Sequence, residues 1–315
     1  METIKKKIKA VMLGHAVADA LGVPVEFCER EALDENPIKD MIGFGTYPYP
    51  AGCWSDDTSM ALAALDSLKN GVLSYEEVMT NFGKWYYEDA YTPTGEMFDV
   101  GNTCSAAIDS YFTQQKAAVE CGLADEHANG NGSLMRIHPF SLLVWRDRRA
   151  RGTWEELIDK ASALTHAHER SCLACKIYTL VLLHLLDMPS KASVRLALTV
   201  ASCRFSSSAE YAHYKRLLSP GFASLSRDEI KSTGYVVDSL EAALWCLLNT
   251  DSYADCVLKA VNLGDDTDTV AAIAGGLAGA LYGYEAIPAE WLAVLKRRQY
   301  IEEMCECFAD AWGKQ

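Results

Sequence analysis

Positive charge is scarce in this chain. Twenty-nine lysines and arginines face 43 aspartates and glutamates, a formal net charge of −14 over 315 residues. No basic patch of the kind that binds nucleic acid is legible, so that class of partner is not expected. Long apolar runs are missing too: none reaches the ~18 residues of a membrane span, and no membrane association is expected. The N-terminal stretch METIKKKIKAVMLGHAVADALG opens with lysines, as a signal peptide does. Its apolar core, Ala10 to Leu13, is shorter than the ~7 residues a signal needs. Ile4, Ile8, Val11 and His15 fall instead on one helical face. Also missing are convincing alternating strands, charge runs, low-complexity linkers and short repeats. Cysteine is not scarce. Eleven residues, an odd number spread through the chain, fit reduced thiols and a cytoplasmic location better than a disulfide framework.

Half of the residues are hydrophobic, ample for a sizeable core. Helical signals recur throughout. Ser74 to Glu77 and Thr153 to Glu156 fit the capping box, in which side chain and backbone satisfy each other's orphan donors. Asp251 is placed to cap a helix running to about Leu263. Residues 168–187 and 236–249 carry apolar side chains around most of the helix, as buried helices do. Glycine- and proline-rich stretches at 43–54, 92–102 and 129–133 read as loops. The expectation is one all-α domain over residues 1–315, a compact multi-helix bundle with functional loops inserted between helices.

Two acidic clusters share one grammar. WSDDT (54–58) precedes the apolar SMALAALDSL, and GDDTDT (264–269) precedes VAAIAGGLAGALYG. Acids in a first helical turn are stabilised by the positive end of the helix dipole, which accounts for one or two per helix. It accounts less well for adjacent aspartates at both sites, each with hydroxyls beside them. Hard divalent cations offer the alternative: magnesium takes carboxylate, hydroxyl and water oxygens in near-octahedral geometry. Two such clusters brought together could hold a metal pair roughly 3.5–4 Å apart. An EF-hand does not fit, because position twelve from Asp265 or Asp266 is Gly276 or Leu277 rather than glutamate. Gly275, Gly276 and Gly279 suggest a helix that others approach closely. Cys172 and Cys175 have zinc-like spacing but no second pair, so they read as packing residues, as do Cys305 and Cys307.

DALGVPVE (19–26), WSDDT, DVGNT (99–103), NGNGSLMR (129–136), LTH (164–166) and GDDTDT run in that order through most of the chain. In these motifs the sequence resembles the ADP-ribosylglycohydrolases, the bacterial dinitrogenase reductase-activating members among them. WSDDT paired with GDDTDT about two hundred residues on is the specific part of the likeness. The resemblance implies an all-α bundle with two magnesium ions, or manganese in their place, in a central cleft. It assigns Ser55, Asp56, Asp57, Asp266, Asp268 and Thr269 to the metals. Asp265 stands where many relatives have glycine and is left out. Glu26 matches a metal-proximal glutamate and Asp99 an aspartate near the scissile bond; these are the candidate catalytic carboxylates. Gly101, Asn102, Asn129, Gly130, Asn131, Gly132, Ser133 and His166 are the implied ADP-ribose contacts.

The implied reaction is hydrolysis of the bond between the distal ribose C1 and a protein side chain, releasing ADP-ribose. Its transition state resembles an oxocarbenium ion, as in glycoside hydrolysis generally. ADP-ribosyl-arginine is the expected linkage, with ADP-ribosyl-serine or another O-linked form as the alternative. Two further classes compete. An isoprenoid-diphosphate synthase also uses aspartate-rich helices, but its D-D-x-x-D spacing fails at Met60. A non-catalytic ADP-ribose reader would keep the pocket without the chemistry.

Overall fold

The computed structural model describes residues 1–147 and 152–311. These contain fifteen α-helices and no strand, so the chain is all-α as expected. The two long buried segments form helices Glu169–Asp187 and Val236–Leu248, close to the bounds read from their apolar pattern. The caps agree in part. Ser74 accepts from the amide of Glu77 at the start of Tyr75–Glu88. Thr153 makes no side-chain cap. Ser252, not Asp251, caps Tyr253–Val261, because Asp251 turns outward to an ion pair with Lys191. Cys172, Cys175 and Cys305 are buried, as packing residues are, whereas Cys307 is exposed.

The N-terminal helix, Glu2–Gly22, is buried on nearly every residue from Ile8 onward. The expectation that no stretch is long and apolar enough for a membrane span does not hold by composition: Glu2–Val25 is long and apolar enough to cross one. In the fold, 94% of its most apolar window is buried inside the protein, as in a core helix. What buries it is the helix that follows GDDTDT, Thr267–Tyr282.

The two helices touch backbone to backbone. A Cβ on Gly279 would lie 1.9 Å from the carbonyl oxygen of Ala10, and one on Gly275 would lie 2.4 Å from that of Gly14. One on Gly22 would lie 2.3 Å from Cα of Asp268, while Thr267 Oγ1 donates to the Gly22 carbonyl at 2.8 Å. The small residues therefore do more than allow packing. They bring the end of one helix, which carries Asp19, against the start of the other, which carries Asp268. Gly279→Val is expected to cost about 3 kcal/mol or more, because the obstacle is backbone and cannot rotate away. Gly221→Ala, where a Cβ meets nothing within 4 Å, serves as control and should be near neutral. Denaturant unfolding of both variants checks this; equal stabilities would contradict the close approach.

Candidate active site

The site is assembled from helix starts. Ser55 caps Asp56–Leu68, accepting from the amide of Asp57 and donating to Asp57 Oδ2 at 2.9 Å. Asp56 and Asp57 thus occupy the first turn, where the helix dipole favours negative charge. Asp266 stands at the N-cap position of Thr267–Tyr282 without a side-chain capping bond, and its amide donates to the Ser232 carbonyl. Thr269 Oγ1 donates to Asp57 Oδ2 at 3.1 Å, joining clusters 212 residues apart in sequence. Asn131 Nδ2 donates to Asp266 Oδ2 at 2.7 Å and to Ser239 Oγ at 2.9 Å.

Two groups of acids result. Carboxylate oxygens of Asp19, Asp57 and Asp268 lie within 4.8 Å of one another, and so do those of Glu26, Asp266 and Asp268. Asp268 belongs to both. Burial, and after it the neighbouring acids, hold Asp56, Asp57 and Asp268 well above the usual carboxylate range. Glu26 is pushed up to about 9 by burial, then by Asp99 and Asp266. Crowding of this kind is expensive unless a cation lies among the acids. The fit can be tested on unpaired atoms: Glu26 Oε2, Asp57 Oδ1 and Asp268 Oδ2 are buried and have no hydrogen-bond partner. Each is a carboxylate oxygen from one of the two groups, the donor a hard cation prefers. The helix-dipole account leaves these three atoms unexplained.

A cleft of about 330 Å³ opens above the acids. Glu26, Asp56, Asp99, Asp266 and Thr269 line its acidic side. Gly101 and Asn102, at the start of helix Asn102–Gln114, line it with Gly130, Asn131, Gly132 and His166. Gly101 caps that helix, which leaves Asp99, at φ 51°, outside it. Burial, then Asp266, raises Asp99 to about 6. His166 is buried, with Nδ1 2.8 Å from Thr165 Oγ1. Burial, then Arg136, pushes it down to about 3, so it is neutral. Arg136 is itself buried, donating to the Ala161 carbonyl and to Thr165 Oγ1. It supports the histidine from behind.

Two residues expected at the ligand do not line the cleft. Asn129 donates to the Glu126 carbonyl and accepts from Ser171, while its own carbonyl takes the Val236 amide. Ser133 Oγ accepts from Ser162 and lies 3.5 Å from Cys175 Sγ. Both pin the ends of the loop whose middle lines the cleft. Ser55, Asp57 and Asp268 lie beneath the cleft surface rather than on it.

Asp19 was missed as a site residue, although it opens the DALGVPVE motif. It accepts from the amides of Ser55 and Thr58 at 2.9 and 3.0 Å and from Thr58 Oγ1 at 2.6 Å. It both fixes the start of the WSDDT helix and completes the first acid group. The available signal was an acid on the buried face of an otherwise apolar helix. Asp265, by contrast, is exposed and has φ 59°, a left-handed backbone that favours glycine.

Fold and site together define a class: an all-α protein whose functional centre is a cleft floored by buried carboxylates suited to hard cations. The chain belongs to the ADP-ribosylglycohydrolase family, whose model matches residues 1–315. It is 34% identical over 311 residues to the ADP-ribosylarginine hydrolase Tri1 of Serratia proteamaculans, covering 95% of this chain and 78% of that one. It is 28% identical to the ADP-ribosyl-[dinitrogen reductase] glycohydrolase of Rhodospirillum rubrum, covering 93% and 91%. Among solved structures, one titled ADP-ribosylglycohydrolase-related protein complex superposes with a TM-score of 0.83 at 28% identity, covering 99% of this chain and all of that one. The chain is accordingly an enzyme of the glycohydrolase class.

Proposed function

We propose that this enzyme removes ADP-ribose from arginine side chains of modified proteins, with two magnesium ions, or manganese in their place, held by the paired acid groups. The three unpaired buried carboxylate oxygens carry this reading, because they mark where cations are needed. Ser55, Asp56, Asp57 and Thr269, with Asp19, would serve on one side, and Asp266, Asp268 and Glu26 on the other. When bound, the ions would orient the ribose hydroxyls and supply a water of lowered pKa. The protein's own groups do the rest. The start of helix Asn102–Gln114 faces the cleft, where its orphan amides suit a pyrophosphate, and Gly130 and Gly132 line the cleft beside Asn131, whose own amide is taken by the Gly234 carbonyl. His166, neutral and fixed by Thr165, presents its ring beside those glycines. Glu26 closes the second acid group, which leaves Asp99 as the cleft carboxylate placed to accept the proton of the attacking water. Free thiols throughout the chain suit a reducing cytoplasm.

Arginine is the preferred linkage on two grounds. The relative from Serratia is named for it. A guanidinium linkage is also cationic, and a protein of net charge −14 with surplus acids at its cleft attracts it over long range. A serine linkage is neutral and gains nothing from that field. Matched peptides bearing ADP-ribose on arginine or on serine, assayed with excess magnesium at low and moderate salt, should show faster cleavage of the arginine peptide. That advantage should narrow as salt rises. Faster cleavage of the serine peptide would overturn the assignment.

A further inference from the structure

Behind the glycine side of the cleft, one hydroxyl joins a buried cation to His166. Arg136 is fully buried and pairs with no carboxylate among the described residues. Its guanidinium lies over the Phe82 ring at 4.7 Å and donates from Nη1 to the Ala161 carbonyl at 3.2 Å. From Nη2 it donates to Thr165 Oγ1 at 2.7 Å, and that oxygen lies 2.8 Å from His166 Nδ1. The backbone around the pair is fixed. The Leu123 amide donates to the Thr165 carbonyl at 3.0 Å, the Ala167 amide to the Leu123 carbonyl at 2.8 Å, and the His166 amide to the Ser162 carbonyl at 2.8 Å. The other ring nitrogen faces the ligand space. A Cβ on Gly130 would lie 3.6 Å from His166 Nε2 and one on Gly132 3.5 Å, and both glycines line the cleft with the ring.

The protons in this chain of bonds can be placed. Arginine is charged at any working pH and only donates, so Thr165 Oγ1 accepts from it. The hydroxyl has a single proton, and among the described residues its one other nitrogen or oxygen partner is His166 Nδ1. A proton on Nδ1 would leave the hydroxyl proton buried with neither acceptor, a costly arrangement. Nδ1 is therefore bare, and the neutral ring carries its proton on Nε2. From this geometry we infer that Thr165 and Arg136 are positioning residues that lock His166 as an Nε2–H donor, aimed at an anionic oxygen of the ligand. With one nitrogen occupied and the other protonated, the ring has no lone pair free to take a proton from water. The buried guanidinium behind it, lacking a counter-ion, favours an anion at that point of an otherwise acidic cleft. That the anion is the pyrophosphate of an ADP-ribosyl group rests on the hydrolase reading above.

Nitrogen-15 NMR of protein labelled at histidine reads the tautomer, with His166→Gln assigning the signal. The expected wild-type ring is the Nε2–H form throughout about pH 5 to 8, because burial and then Arg136 push its pKa down to about 3. An Nδ1–H ring, or a mixture, overturns the inference without need of any variant. Thr165→Val keeps the shape and removes the hydroxyl. Its Nδ1 signal should move toward that of an unbonded nitrogen, and the Kd of ADP-ribose in magnesium should rise about tenfold. Thr165→Ser returns the hydroxyl and should return both readouts to near wild type, whereas a merely space-filling threonine would be matched by valine. An unmoved signal or a wild-type Kd in Thr165→Val overturns the inference as well. If the wild-type chain binds no ADP-ribose, the hydrolase reading fails instead, and the wild-type tautomer with the Nδ1 signal of Thr165→Val decides whether the lock exists.

Discussion

Asp268→Asn is expected to abolish turnover while making the metal-free protein more stable. The two effects run in opposite directions because Asp268 belongs to both acid groups. It is fully buried; one oxygen accepts from the Thr269 amide at 2.8 Å and the other has no partner. Burial first, then Glu26, Asp57 and Asp266, raise its pKa. For an acid whose folded-state pKa is raised, stability falls as pH climbs from the unfolded value toward the folded one. At neutral pH the metal-free fold therefore carries the cost of these charges, and a neutral amide of the same shape removes part of it. An increase in Tm of about 2 °C or more without metal is expected. Turnover should fall at least about a thousandfold, since positioning of the sugar and activation of the water by bound cations would be worth several kcal/mol. Magnesium should no longer raise Tm. If Asp268 were only a helix-capping acid, the variant would lose stability and keep most of its activity; paired melts with and without EDTA, beside the assay, tell these apart.

Asp99→Asn is expected to lower kcat by between about a hundredfold and ten-thousandfold, the usual contribution of a general base. The substitution suits the position, because asparagine tolerates the left-handed backbone at φ 51° as well as aspartate does. Asp99 lies outside both acid groups, so the magnesium-induced rise in Tm should persist. Glu26→Gln is the useful contrast. Glu26 completes the second group, so that variant should lose both rate and part of the magnesium response. A full rate in Asp99→Asn would remove it as the base.

The metal-capable centre was largely legible in the sequence, because its residues sit at helix starts and local chemistry exposes them. WSDDT and GDDTDT each combine acids, hydroxyls and a following apolar run, and the fold brings both to one place. The close helix crossing was legible for the same reason, since Gly275 and Gly279 stand in a stretch that is otherwise apolar. What stayed hidden depended on tertiary contacts. Asp19 resembles any acid on a long helix until the amides of Ser55 and Thr58 are seen pointing at it. Ser133 and Asn129 carry the right chemistry for a ligand but spend it on the loop's own ends, which the neighbouring glycines give no sign of. Asp251 was outcompeted as a cap by Ser252, one residue along, once Lys191 offered it an ion pair.

The most direct test of the central claim is product analysis on one substrate under two metal conditions. A peptide carrying ADP-ribose on arginine is incubated with the purified protein in magnesium, and in parallel after EDTA treatment, and both mixtures are resolved by mass. The expected result is free ADP-ribose with regenerated, unmodified arginine in magnesium, and intact conjugate in EDTA, restored to cleavage when magnesium is returned. Intact conjugate in magnesium, or equal release in both conditions, would contradict a metal-dependent ADP-ribosylarginine hydrolase built on these acids.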